Sequence, residues 1–429
     1  METRKGVFIL SNLIVIVLGR QGFGPTDQEW GYATVRDGAH IFWWMHYTNA
    51  VQNPLEKPLV IWLQGGPGVS STGYGNFVEI GPWDANKQPR NTTWLNYANL
   101  LFVDNPVGTG FSYVDYPEAY ATNNTQIAKD FIELLRSFYK RLPDFEKVPL
   151  YIFSESYGGK MTAEIALHVY WAVKNGTIKC NLKGVGLGDA WISPIDSITT
   201  WHTYLYNMGM IDKSAYGHFD KVVEEAKVAE SQGNYTELLR IFFELENDID
   251  SYTINADFYN ILTPIRADFR NKKNGFGNIL FKPAGPEDEI ETLMKKEVAP
   301  ALNVTHNWGS QGDDVFVYLQ DDFMRSVTKI VEQLLNETDI IVGVYNGQLD
   351  LIVDTIGTEQ WVNNLQFKNA SEWVNGIRYG LVADDYYTGF QKNAGNLRFY
   401  WVSRSGHMVA VDNPGALSFI LSDIIIHSN

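Results

Sequence analysis

The chain has one cysteine, Cys180, among 429 residues. A single thiol cannot form a disulfide within the chain, which excludes the class of small secreted proteins that disulfides hold together. We interpret Cys180 as a small buried apolar residue, with a nucleophilic thiol as the alternative. No group of Cys and His residues has the spacing of metal ligands. The sequence therefore predicts neither a metal site nor a cofactor.

Basic residues are also scarce. The chain has 34 Lys and Arg residues against 50 Asp and Glu residues, and its formal net charge is −16. Because no basic cluster is available to meet phosphates, we expect neither nucleic acid nor an anionic membrane surface as a partner. Apolar residues make up 45% of the chain, which is ordinary for a folded domain and too many for a disordered one.

Long apolar runs are scarce as well. Residues 7–18 form a mostly apolar run of about 12 residues, which is shorter than the roughly 20 that a membrane-spanning helix needs. Arg4 and Lys5 precede this run and the small Gly19 follows it, which is typical of a cleaved secretory signal. We predict a signal peptide at residues 1–19, with an uncleaved anchor as the alternative.

Seven Asn-x-Ser/Thr sequons, none with Pro in the middle position, agree with export of the protein. They lie at Asn91, Asn123, Asn175, Asn234, Asn303, Asn336 and Asn369. The sequence predicts a glycosylated protein of the secretory pathway, secreted or lysosomal, without a transmembrane segment. It contains no signal of an oligomeric state.

Short β-rich runs alternate with helical patterns, which predicts an α/β fold with a mostly parallel central sheet covered by helices. The predicted strands are 59–63, 100–103, 150–153, 185–187, 340–345 and 397–402, and helices are predicted at 127–138 and 161–173. Between about 193 and 322 this alternation fades and charged helical stretches occur. We predict one domain at 20–429, with a helical cap inserted at about 193–322 over the carboxyl edge of the sheet.

Ser156 lies between the predicted strand 150–153 and a predicted helix. A strand–turn–helix of this kind can hold a serine hydroxyl exposed above the sheet edge, and its strained backbone requires small flanking residues. The usual pattern is Gly-x-Ser-x-Gly; here Ser154 replaces the first Gly, and Gly158 occupies the last position. A plain turn is the alternative interpretation, but the position between strand and helix favours a nucleophile.

A serine nucleophile needs a base, and His407 is the best candidate because it follows the last predicted strand in a loop. Asp350 follows the preceding predicted strand in the same way. The resulting order of Ser156, Asp350 and His407 is that of α/β-hydrolases. Asp354 is the rival acid, but it lies further from the strand end. The predicted roles are attack by Ser156, proton transfer by His407 and orientation of the imidazole by Asp350.

The loop Gly65-Gly66-Pro67-Gly68 meets the remaining requirement of this chemistry. Acyl transfer develops negative charge on the carbonyl oxygen, which preorganised backbone N–H groups stabilise. Glycine permits close approach of the backbone, and proline fixes the turn. We predict the N–H groups of Gly66 and Tyr157 as the oxyanion donors.

Five motifs occur in the chain in a fixed order. They are LQGGPG at 63–68, DNPVGTGFSY at 104–113, ESYGG at 155–159, NGQLD at 346–350 and GHM at 406–408. Together they resemble the serine carboxypeptidase family, from about residue 30 to residue 416. The resemblance implies an α/β-hydrolase fold and the release of C-terminal residues from peptides at acidic pH.

The resemblance also implies a site for the terminal carboxylate of the substrate, formed by Gln64, Gly65, Glu79 and Glu155. Two neighbouring carboxyls cannot both ionise easily, so one should hold a proton and donate it to the substrate carboxylate. Many family members have Asn at position 64, and the longer Gln64 brings its amide from further back.

Two other functions remain open from the sequence. An acyltransferase or esterase could use the same three catalytic residues. A non-catalytic secreted glycoprotein could retain every motif above a vestigial site. Side-chain specificity is not readable, because the predicted cap contributes walls of the pocket.

Overall fold

The computed structural model describes residues 20–264, 287–383 and 385–428. The predicted signal peptide at 1–19 lies outside these residues. The strands are β1 (Gln28–Arg36), β2 (Ala39–His46), β3 (Leu59–Leu63), β4 (Asn99–Val103), β5 (Tyr113–Val114), β6 (Pro149–Glu155), β7 (Asn181–Gly188), β8 (Ile341–Gly347), β9 (Tyr379–Ala383), β10 (Tyr386–Ala394) and β11 (Leu397–Val402).

The strands of the described residues form one sheet in the order β1-β2-β4-β3-β6-β7-β8-β11-β10-β9, with β5 paired to β2. Neighbouring strands from β4 to β11 run parallel. The strands on either side of this block pair antiparallel. The predicted parallel sheet is therefore confirmed for the centre, whereas the antiparallel strands β1, β2, β9 and β10 were not predicted.

The central strands are apolar because helices cover both faces of the sheet. In β3, the side chains of Leu59, Ile61 and Leu63 belong to one core, and those of Val60 and Trp62 belong to the core on the opposite face. All five are at most 1% exposed. The sheet is thus a rigid base for the loops that leave its carboxyl edge.

Two layers of helices enclose the sheet. The α-helices are α1 (Asn124–Arg141), α2 (Tyr157–Lys174), α3 (Pro194–Ile198), α4 (Trp201–Asn207), α5 (Lys213–Ser231), α6 (Tyr235–Thr253), α7 (Glu287–Leu293), α8 (Ala299–Leu302), α9 (Asp313–Phe323), α10 (Thr328–Glu337), α11 (Thr355–Asn364), α12 (Ala370–Asn375), α13 (Val409–Asp412) and α14 (Pro414–His427). Shorter 3₁₀ segments lie at Pro54–Glu56, Trp94–Asn96, Pro117–Ala119 and Pro143–Lys147, and π-helices lie at Ser71–Ile80 and Met294–Val298. Helices α1 and α2 pack on one face, and α14 contacts β7, β8 and β11. Among the described helices none is both long and apolar enough to cross a membrane.

Helices α3 to α9 occupy the described part of the predicted insertion 193–322, between β7 and β8. Its later residues contact the loop that follows β3. The Gly312 N–H donates to the Gly68 carbonyl at 2.9 Å, and the Ser70 N–H donates to the Ser310 carbonyl at 3.2 Å. These contacts place the segment beside the predicted active site, and its role as a cap stays a prediction.

Candidate active site

Ser156 lies in the turn between β6 and α2, with φ of 61° and ψ of −129°. A residue other than glycine in this conformation is strained, and such residues are typical of functional sites. The Ser156 N–H donates to the Gly188 carbonyl at 2.9 Å, which fixes the turn to the end of β7. Ser156 is partly exposed, whereas its neighbours Glu155 and Tyr157 are buried. Ser156 is thus partly open to solvent, as its predicted role as nucleophile requires.

Small residues surround Ser156 because the loop after β3 approaches very closely. A Cβ at Gly65 would lie 2.5 Å from the Cβ of Ser156. A Cβ at Gly158 would lie 2.5 Å from the carbonyl oxygen of Leu63. Side chains at either position would push the loop and the nucleophile apart, so the glycines of both motifs are required sterically.

Asp350 and His407 form a buried pair at the ends of β8 and β11. Their Oδ2 and Nδ1 atoms are 2.7 Å apart, and both residues are 0% exposed. The other oxygen of Asp350 accepts a hydrogen bond from the Val353 N–H at 3.2 Å. The His407 N–H donates to the Tyr259 carbonyl at 2.7 Å, which fixes the histidine loop against the segment between β7 and β8.

The Nε2 atom of His407 is buried and has no hydrogen-bond partner among the described residues. It is therefore not hydrogen-bonded to Ser156, although the predicted mechanism needs that contact. Catalytic hydrogen bonds are often long in an empty site and tighten when substrate binds. Burial lowers the pKa of His407 to about 3, and Asp257 acts in the opposite direction. The imidazole is thus neutral near pH 5 and can accept a proton.

Asp354, the rival acid, is engaged elsewhere. It is the N-cap of α11, where its Oδ1 accepts from the Gly357 N–H at 3.0 Å. Its Oδ2 accepts from the Thr200 hydroxyl at 2.7 Å. The structure thus pairs His407 with Asp350 and gives Asp354 a capping function.

Of the predicted oxyanion donors, Tyr157 directly follows Ser156, and Gly66 follows Gly65, which lies against Ser156. Gly66 has φ of 105°, which favours glycine. Tyr157 is the first residue of α2, where an N–H has no acceptor within the helix. In the described ranges neither N–H donates to a protein acceptor. Both groups are available to a developing negative charge.

Asp104 holds the oxyanion loop in place. Its buried carboxylate accepts from the Ser70 hydroxyl at 2.8 Å, from the Thr72 N–H at 3.0 Å and from the Phe111 N–H at 2.9 Å. Sequence reasoning gave this residue no role, because its donors are distant in the chain and only the fold brings them together.

Gln64, Glu79 and Glu155 form a buried polar group beside the nucleophile, and each is at most 2% exposed. The Trp62 indole N–H donates to Gln64 Oε1 at 2.7 Å, so the Gln64 amide nitrogen is left to donate to Glu155 Oε1 at 3.0 Å. Both carboxyl oxygens of Glu79 lack a hydrogen-bond partner among the described residues. The orienting role of Trp62 was not predicted from the sequence.

The two glutamates of this group have raised pKa values. Desolvation raises the pKa of Glu79 to about 8, and the Gln64 amide and the charge of Arg90 oppose this change. Desolvation, followed by the negative charge of Glu79, raises the pKa of Glu155 well above its ordinary value. At acidic pH the pair therefore holds at least one proton, which can be donated to a substrate carboxylate.

Cys180 is partly buried, and its sulfur accepts a hydrogen bond from the Tyr139 hydroxyl at 3.3 Å. Burial raises the pKa of the thiol to about 11, so little thiolate forms near neutral pH. This disfavours the alternative of a nucleophilic thiol, and Cys180 is a small residue that is partly rather than fully buried.

The sequon asparagines lie on the surface, with one difference among them. Six are exposed, and Asn369 is partly buried. The side-chain nitrogen to which a glycan would be attached donates a hydrogen bond in Asn369, to Glu372 Oε2 at 2.9 Å, and in Asn336, to the Gln366 carbonyl at 3.0 Å. Glycosylation of the seven stays a prediction.

The sheet order and the positions of the serine, acid and histidine after β6, β8 and β11 define an α/β-hydrolase. A prohormone-processing carboxypeptidase from Saccharomyces cerevisiae has the same fold, with a TM-score of 0.79 and 21% sequence identity. The match covers 94% of this chain and 91% of that one. The predicted fold is confirmed.

The serine carboxypeptidase family model matches residues 20–427. The retinoid-inducible serine carboxypeptidase of Rattus norvegicus is 44% identical, over 90% of this chain and 88% of that protein. Its Homo sapiens counterpart is also 44% identical, and serine carboxypeptidase-like protein 51 of Arabidopsis thaliana is 37% identical, each over 90% of both chains. This chain belongs to the serine carboxypeptidase family. The predicted enzyme class is confirmed at the level of the family, and the similarity extends to the retinoid-inducible type.

Proposed function

We propose that the chain hydrolyses the last peptide bond of peptides at acidic pH, through an acyl-enzyme on Ser156. The observation that carries this proposal is the buried group of Gln64, Glu79 and Glu155. Glu155 directly precedes Ser156, and Gly65 lies against Ser156. A site that binds a terminal carboxylate so close to the nucleophile selects the bond next to the C-terminus.

The chemistry requires two acyl transfers. The Ser156 hydroxyl attacks the carbonyl carbon while His407 Nε2 takes its proton, and the N–H groups of Gly66 and Tyr157 stabilise the oxyanion. Cleavage of the C–N bond releases the C-terminal amino acid, which takes the proton from His407. Water then attacks the acyl ester by the same route and frees Ser156. Asp350 orients the imidazole and stabilises its protonated form.

Burial of both sites supports an acidic working range. It lowers the pKa of His407 to about 3, so that the base is neutral near pH 5. It raises the pKa of Glu79 to about 8, so that the carboxylate site holds its proton at the same pH. Between these values the base and the substrate-binding acid are both in the required state.

An N-blocked peptide incubated with the protein at pH 5, with the products followed by mass spectrometry, tests the proposal. We expect stepwise loss of C-terminal residues, no loss with Ser156→Ala, and little loss from the same peptide with an amidated C-terminus. Ester formation with an added alcohol in place of free acid would favour the acyltransferase alternative. Failure of a fluorophosphonate to label Ser156 would favour a non-catalytic glycoprotein.

We also propose that the protein acts in the secretory pathway, secreted or lysosomal. The predicted signal at 1–19 and the exposed sequons support this location. N-terminal sequencing of protein from a secreting cell line, with and without glycosidase treatment, tests it. A mature chain that retains residues 1–19 and has no glycan would contradict the proposal.

A further inference from the structure

Asp189 is a second buried acid at the predicted catalytic pair. It follows β7 directly, and its carboxyl, that of Asp350 and the ring of His407 have ligand-type atoms within 4.8 Å of one another. All three residues are 0% exposed. The mechanism above gives Asp189 no role, although its carboxyl lies in the same buried cluster as that of Asp350.

The hydrogen-bond donors around the two carboxyls are unequal. Asp350 accepts from His407 Nδ1 at 2.7 Å on one oxygen and from the Val353 N–H at 3.2 Å on the other. Asp189 Oδ1 accepts from the Gly347 N–H at 2.7 Å, but its Oδ2 has no donor among the described residues. Two ionised carboxylates this close together repel strongly in a buried site, so one of them carries a proton. The oxygen that lacks a donor is Asp189 Oδ2, and the proton fits there.

The backbone holds Asp189 in this position. Its φ of 42° lies in the left-handed region, which residues other than glycine adopt mainly where their surroundings fix them. The Asp189 N–H donates to the Tyr345 carbonyl at 2.8 Å. Tyr345 and Gly347 belong to β8, the strand that leads to Asp350, so Asp189 is attached to the element that positions the catalytic acid.

The charged groups of the described residues that act on Asp189 are acidic. Asp350 lies within 4.8 Å of it in the same cluster. Asp412 acts on it through its negative charge, and Glu155 interacts with it electrostatically. Among the described groups that act on Asp189, none is a lysine or an arginine. His407 is the one base of the cluster, and its Nδ1 is occupied by Asp350.

We propose that Asp189 is a positioning residue that keeps a proton on Oδ2 and donates a hydrogen bond through it to the Asp350 carboxylate. This inference rests on the proposed catalytic roles of Asp350 and His407. The two acids then share a single negative charge, which matches the single positive charge that His407 gains during acyl transfer. The donated hydrogen bond also keeps the Asp350 carboxylate in the orientation that the imidazole requires.

The variants Asp189→Asn and Asp189→Leu separate this role from simple packing. Asparagine can accept from Gly347 through Oδ1 and donate to Asp350 through Nδ2, whereas leucine has a similar volume and can do neither. We expect Asp189→Asn to keep most of the wild-type kcat. We expect Asp189→Leu to lower kcat about 10- to 100-fold with KM nearly unchanged. Equal loss in both variants would show that an ionised Asp189 is needed, and wild-type kcat in Asp189→Leu would exclude a positioning role.

Infrared difference spectroscopy gives a second readout that does not depend on turnover. The wild-type minus Asp189→Asn spectrum should contain the C=O stretch of a protonated carboxyl, and its absence would overturn the proposal. This spectrum remains informative if Asp189→Leu fails to fold. A stoichiometric cation in the purified wild-type protein would also overturn it.

Fluorophosphonate labelling distinguishes a failure of this inference from a failure of the proposed peptidase activity. The reagent forms an O–P bond with Ser156 and releases fluoride, and it carries no carboxylate. The wild-type protein and Asp189→Asn should label at similar rates and Asp189→Leu more slowly, whether or not a peptide is cleaved. Equal rates in all three would contradict the positioning role.

Discussion

Glu155 connects the nucleophile with the predicted binding site for the substrate carboxylate. Through the backbone it is the residue before Ser156, and through its side chain it accepts a hydrogen bond from Gln64 at 3.0 Å. Trp62 fixes the amide orientation of Gln64, so the donor that faces Glu155 is defined by a tryptophan behind the site. One of the two glutamates that share a proton is therefore the residue directly before the nucleophile.

The first expectation concerns pH and this glutamate pair. Because the pKa of Glu79 is raised to about 8, kcat/KM for a peptide should fall as pH rises from about 5 to 8 and fall further above 8. Loss of the shared proton leaves two carboxylates that repel the substrate carboxylate. In Glu155→Gln the amide donates at every pH, so the decline should be weaker.

Steady-state kinetics between pH 4.5 and 9 measures this effect. An ester substrate without a free carboxylate is the matched control, since its kcat/KM should not depend on the pair. An identical pH profile in Glu155→Gln and the wild-type protein would exclude the glutamate pair as the cause.

Individual site residues differed in how well the sequence predicts them. Ser156, Asp350 and His407 each follow a recognisable strand, and the carboxyl ends of parallel strands meet at one edge of a sheet. Asp189 also follows a strand, which was an available signal, but nothing local shows that its carboxyl contacts Asp350. The role of Trp62 depends on a side-chain orientation that only packing determines.

At the scale of elements, the turn from β6 to α2 and the loop after β3 form one unit. Gly158 lies under the end of β3, and Gly65 lies against Ser156. Asp104 joins the same loop to the segment around Phe111 by buried hydrogen bonds. The nucleophile and the oxyanion donors are thus held by contacts between elements that are distant in the chain.

The second expectation tests this unit with Gly158→Ala. The new Cβ would lie 2.5 Å from the Leu63 carbonyl oxygen, so β3 and α2 must separate. We expect kcat to fall about 100-fold or more, as for loss of an oxyanion donor, and stability to fall by about 1–3 kcal/mol. Kinetics and thermal unfolding of the purified variant measure the two effects.

Gly217→Ala is the matched control. Gly217 lies in the exposed surface of α5, and a Cβ there meets nothing within 4 Å. The same substitution should therefore stabilise the protein by about 0.5–1 kcal/mol and leave kcat unchanged. A Gly158→Ala enzyme as active as Gly217→Ala would contradict the close approach of β3 and α2.

The sequence predicted the central elements better than the flanking ones. The bounds of β3 and β11 agree with the prediction, because an apolar strand buried on both faces stands out between polar loops. The hairpin of β1 and β2 was missed although Asp37-Gly38, a strong turn signal, connects its strands. Strand β2 is almost continuously apolar, so it lacks the alternation that usually identifies an antiparallel strand.

At the scale of the whole molecule, buried ionisable groups make stability depend on pH in two directions. Desolvation raises the pKa of Glu79 to about 8 and that of Asp354 to about 7. Their contribution to the free energy of unfolding is fully present at low pH and is lost as pH rises through these pKa values. Burial lowers the pKa of His46 and His407 to about 3, so their contribution is present above pH 6.5 and is lost as pH falls towards 3.

The third expectation follows from this balance. The unfolding temperature should be highest near pH 5–6 and about 3–5 °C lower at pH 8. The net charge of −16 acts in the same direction, since self-repulsion grows as the last carboxyls ionise. Calorimetry across this range measures the effect. In Glu79→Gln the unfolding temperature should fall less above pH 6. If it falls as much as in the wild-type protein, other groups cause the decline.

The contact between Gly65 and Ser156 has a consequence for protein engineering. A Cβ at position 65 would lie 2.5 Å from the Cβ of Ser156. No residue other than glycine therefore fits at position 65 without displacing the nucleophile. A Cβ at Gly312 would also collide, with the Gly108 carbonyl oxygen at 2.7 Å, whereas a Cβ at Gly217 in α5 meets nothing within 4 Å. Libraries aimed at new substrate preferences should therefore vary the helices between β7 and β8 and keep the glycine loop fixed.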